Sequence, residues 1–125
     1  MAKLLSLITF ASFLTIISPA SAYKIGDLYK FCKTYTDGGF ELNSSATVAC
    51  YGYVRGVINS SSFICHNFQG LNNEVVAIFG SKARASNIDA VAQMFVNEAK
   101  GKPERWELNA DSTVAKAAKS IAPCK

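Results

Sequence analysis

Cys50-Tyr51-Gly52-Tyr53-Val54-Arg55-Gly56-Val57 decides the reading of this chain. Two glycines stand four residues apart, a cysteine opens the run, and tyrosines flank the first glycine. Two interior glycines cost a helix about 2 kcal/mol relative to alanine, and tyrosine and valine weaken it further, so a strand over 50–58 competes. The apolar residues do not alternate, however. Ala46, Ala49, Cys50, Tyr53 and Val57 fall on one helical face, which favours a helix capped by Ser44 or Ser45. On that reading Tyr53 is a core aromatic with its hydroxyl at the rim. Gly52 and Gly56 would admit a neighbouring helix or a disulfide at close range, and Gly56→Leu would lower the melting temperature. Tyr51 and Arg55 lie off the apolar face and are candidate partner contacts. Ser60-Ser61-Ser62 is expected to end the helix.

Upstream, Ile25, Leu28, Tyr29, Cys32 and Tyr35 recur at helical spacing and predict a first helix over about residues 26–36. Asp27 suits its positive dipole end, and Asp37-Gly38-Gly39 stops it. Downstream, residues 63–86 carry no decisive period. Leu71 to Phe79, bracketed by Gly70 and Gly80, reads as a short helix or a strand. Ser86 and Asp89 then have the spacing of a capping box. Ile88, Val91, Ala92, Phe95, Val96 and Ala99 give the clearest amphipathic stripe of the chain. Gly101 and Pro103 close that helix. Trp106 and Leu108 are expected to cover a core edge. Asp111 or Ser112 would cap a last helix with Val114, Ala117, Ala118 and Ile121 inward, ended by Pro123. There is no repeat, linker or low-complexity tract. The fold class expected is all-α: a small compact bundle of about four helices, with an atypical middle segment.

The N-terminus predicts export. Lys3 precedes an apolar run from Leu4 to Ile17, Ser18-Pro19 breaks it, and Ala20-Ser21-Ala22 is a small-x-small cleavage site. The run is shorter than the roughly 20 residues of a membrane span. Cleavage after Ala22 is expected, leaving a signal peptide at 1–22 and one domain at 23–125, with no membrane association afterwards. Four cysteines in an exported chain of this size read as two disulfides, because a small core gains materially from cross-links. No close ligand pair of the C-x-x-C kind is present, so neither a metal nor another cofactor is expected. Thirteen basic against nine acidic residues give a formal charge of +4 without a basic run, which does not support nucleic-acid binding. His66 is the single histidine, and its neighbour Cys65 is expected to be oxidised, so no catalytic constellation is visible and no enzyme is expected.

The order Leu28-x-x-x-Cys32, Cys50-x-Gly52-Tyr53-Val54-x-Gly56-Val57, Phe63-x-Cys65, an amphipathic helix, Lys102-Pro103-Glu104, a short helix and Pro123-Cys124 resembles the Rap/Tai family. These are periplasmic immunity proteins against type VI secretion amidase effectors. Two departures stand out: about twenty residues, 66–85, separate the third cysteine from the next helix, and Ala122 replaces the usual aromatic before Pro123. The resemblance implies a small helical periplasmic inhibitor that binds a peptidoglycan amidase, with homodimers among its relatives. Four cysteines allow three connectivities. We expect Cys32–Cys50, locking the first helix to the second, and Cys65–Cys124, tying the C-terminus to the end of the second. Loop entropy favours them by about 3 and about 4 kcal/mol. Phe68, Ile78 and Phe79 in the added segment join Tyr51 and Arg55 as candidate contacts. The alternative is a periplasmic binding or chaperone-like protein on the same scaffold.

Overall fold

The computed structural model describes residues 22–68 and 74–124. The expected signal peptide therefore lies, apart from Ala22, outside the described residues. Five α-helices follow one another: α1 (Ile25–Asp37), α2 (Ser45–Asn67), α3 (Glu74–Phe79), α4 (Ile88–Lys100) and α5 (Asp111–Ile121), with 3-10 turns at Ala85–Asn87 and Pro103–Arg105. Among the described residues, extended pairing is confined to two isolated bridges, Lys24 with Asn109 and Ser81 with Pro123. The all-α reading stands, and both disulfides pair as expected, Cys32 with Cys50 and Cys65 with Cys124.

Helix α2 is the spine. Ser44 caps it reciprocally with Thr47: each side chain is bonded by the other residue's backbone N–H. It runs past Ser60-Ser61-Ser62, where the sequence predicted a stop, to Asn67. The reason is periodicity: Ser61 and Cys65 prolong the buried series Cys50, Val54, Ile58, and packing outweighs the modest helix penalty of serine. That series also corrects the face. The core side passes through Val54 and Ile58, and Tyr53 is only half-buried on the flank. Cys50 is fixed inward by its disulfide, so residues four apart from it go inward as well.

Helices α1 and α4 pack on α2 and on each other, and α5 packs on α4 and α2. The core they share is Leu28, Cys32, Tyr35, Cys50, Val54, Ile58, Val91, Phe95 and Val114, all nearly inaccessible to water. Tyr35 donates its hydroxyl to Asp89 across the α1–α4 seam at 2.6 Å. Asp89 is thus engaged tertiarily. At this helix entry it is the Asn87 side chain that accepts from the Arg84 backbone N–H, in place of the expected Ser86 cap. Gly38 and Gly39 end α1 as expected, with Gly39 in the left-handed region at φ 71°. Trp106 does cover a core edge and donates its indole N–H to the Ala99 carbonyl at 2.8 Å. Leu108, by contrast, is exposed, and only its backbone is used, accepting from Ile25 N–H.

Candidate functional site

The outward face of α2 is unusual for a helix in water. Its 23 residues include no acid and a single arginine, Arg55. Val48, Gly52, Gly56, Asn59 and Phe63 follow each other along the exposed side, and Phe63 is 62% exposed. Among the described residues, a Cβ added at Gly52 or Gly56 would meet nothing within 4 Å. The expected close packing at these glycines is therefore corrected: the shift of the buried face toward Val54 turns both outward. Close approaches occur elsewhere. A Cβ on Gly26 would lie 3.0 Å from Trp106 Cβ, and one on Gly80 would lie 2.7 Å from the Val76 carbonyl and 3.1 Å from Cys124 Sγ.

Over the bare glycines lies an open groove of about 460 Å³. Its floor is Gly52, Gly56, Ser60 and Ser61, its walls are Tyr53, Val57, Ile64 and Phe79, and among the described residues Asp111 is the one charged side chain lining it. Three helices supply these groups. Phe79 closes α3, Asp111 opens α5, and the rest come from α2. Burial, and secondarily the Asp111 carboxylate, pushes the Tyr53 phenol up to about 12, so it is a neutral hydrogen-bonding group at physiological pH.

On α3, Val75 and Ile78 are exposed, and the exposed Phe68 follows the end of α2. The wall is held by polar and covalent ties. Lys119 Nζ donates to the Ala77 carbonyl, Ser81 N–H donates to Ser61 O at 3.2 Å, and Lys82 N–H donates to Ala122 O. Cys124 reaches back to Cys65. On the other flank of α2 a smaller basin is lined by Cys65, His66, Lys82 and Arg84 and is basic. A third cleft, between α3, α4 and α5, holds Glu98 with Lys102 at 2.6 Å and Lys116 at 3.6 Å. The bond from Lys102 holds that carboxyl below its usual range.

The residues singled out from sequence divide accordingly. Phe79 lines the groove, Ile78 lines the cleft that holds Glu98, Phe68 is exposed just past α2, and Arg55 is exposed on α2. Tyr51 is half-buried, with its ring 6.3 Å from that of Tyr35, and packs against the core. Sequence reasoning missed Ile64, Ser61 and Asp111 as groove residues. The signal was available in the 4-4-3-4 spacing of Cys50, Val54, Ile58, Ser61 and Cys65, which fixes what the opposite side presents. All four cysteines are in disulfides, so no thiol stands beside His66. No described helix is long and apolar enough to cross a membrane.

The family model of the Rap1a immunity proteins matches residues 24–124, and the chain belongs to that family. No curated protein and no solved structure matches the chain.

Proposed function

We propose that this member of the Rap1a immunity family is a periplasmic inhibitor of a peptidoglycan amidase delivered by a type VI secretion system. It protects the producing cell by occupying the toxin, without chemistry of its own. The observation that carries this reading is the family match over residues 24–124, essentially the whole chain after the expected leader. Two features agree with it. The leader and the pair of disulfides suit an oxidising compartment. The exposed apolar residues Val48 and Phe63 on an acid-free α2, with Val75 and Ile78 on α3, suit a protein partner.

The test is protection. Each amidase effector of the producing strain is directed to the periplasm of a susceptible laboratory strain, with and without this protein. Lysis prevented for one effector, with a stable purified complex, is the expected result. If no amidase of the strain is bound or neutralised, the immunity reading fails and a chaperone-like binding role on the same exposed face takes its place. A homodimeric inhibitor would form a complex that sediments as two-to-two.

A further inference from the structure

We propose that the groove over Gly52 and Gly56 seats an apolar helix of the effector that brings a basic side chain to Asp111. This rests on the immunity reading and names the surface and the partner chemistry it uses.

The first ground is the glycines. Each costs an exposed helix interior roughly 1 kcal/mol relative to alanine. Among the described residues nothing uses the space they leave, since a Cβ at either would have no neighbour within 4 Å. Their spacing of four leaves a shallow channel along α2 that matches the i±4 ridge of a crossing helix, and small residues shorten the distance between helix axes. The second ground is the composition of α2. A helix with no acid and a single arginine offers little charge to its exposed side, and apolar residues there are surface that a partner can cover. Here Val48, Gly52, Gly56 and Phe63 face water.

The polar groups set the chemistry. Ser61 is 1% exposed and lines the groove. Among the described residues Asp111 is the one charged residue lining the groove. It makes no ion pair among the described residues and accepts only from the N–H of Ser112, at 3.0 Å. An unpaired carboxylate at the end of an apolar channel, in a protein of net charge +4, is complementary to lysine or arginine and repels an acidic segment.

The experiment uses the full mature chain and a catalytically inactivated amidase effector of the producing strain. Melting temperature and affinity are measured for wild type, Gly56→Leu and Asp111→Lys. Wild type is expected to bind. Gly56→Leu should keep its melting temperature yet lose at least tenfold in affinity. Asp111→Lys should weaken binding tenfold or more, with a reduced sensitivity to salt. Wild-type binding that both variants retain overturns the groove assignment and leaves the immunity function standing. A wild-type dimer that Gly56→Leu splits while effector binding persists shows that a second copy is the occupant, and overturns it too. Absence of wild-type binding to every amidase removes the immunity reading itself, and this inference with it.

Discussion

Gly56 and Gly80 have the same side chain and opposite constraints. The space over Gly56 is empty, whereas a Cβ on Gly80 would press on the Val76 carbonyl. Gly56→Ala should therefore raise stability by up to about 1 kcal/mol, since alanine is the better helix former. For a domain of this size that is a rise of roughly 4–8 °C in Tm. Gly80→Ala should lower stability by about 1–3 kcal/mol through overpacking. Thermal melts followed by circular dichroism check both, and a drop for Gly56→Ala would restore the close-packing expectation. Sequence marked Gly56 as special but could not say why. The direction a helical residue faces depends on which turn the disulfide pins inward, and that is tertiary information. Tyr35 gives a pH prediction. Burial, then its bond to Asp89, raises its phenol well above the ordinary value of 10, and Tyr53 is raised as well. A raised folded-state value means the native form holds these protons more tightly than the unfolded chain. Their stabilisation is complete below pH 10 and is lost as pH rises beyond it. Tm should fall between pH 10 and 11.5, and Tyr35→Phe should flatten that fall while lowering Tm at pH 7.

At the scale of elements, α1, α4 and α5 were legible from their apolar periods, because each has one face in the core and one in water. Helix α2 was legible at its start, where Ser44 caps it, and misread at its end. Three serines look like a stop, but Ser61 is buried and the helix carries on for another six residues to Asn67. Helix α3 could not be read at all. Its six residues, Glu74–Phe79, are too few to show a period, and none belongs to the buried core. It is held by α5, by α2 and by the segment that follows it up to the Cys65–Cys124 bridge. Cys65 lies outside the core cluster that contains Cys32 and Cys50. Replacing Cys65 and Cys124 together by serine should thus loosen 74–84 selectively. Hydrogen exchange should show early loss of protection there, with α1 and α4 still protected. Uniform loss across all helices would mean that this bridge supports the whole fold and not one wall.

For the whole molecule, the two disulfides divide the labour. One sits inside the bundle where α1 meets α2. The other fastens the periphery that completes the groove. The bundle has its own apolar centre in Leu28, Val54, Phe95 and Val114 and does not depend on α3 for it. If the groove is where the partner docks, acquiring the fold and acquiring the ability to bind are separable events. The second waits on a thiol oxidation that a reducing cytoplasm withholds. A reducing compartment withholds both bridges alike, so a newly made chain would lack the tie between α1 and α2 as well as the one behind the groove wall. On the proposed periplasmic role, it would become competent to bind only after export, when oxidation closes the second bridge. The producer's own effector could be loaded for delivery without being intercepted on the way out.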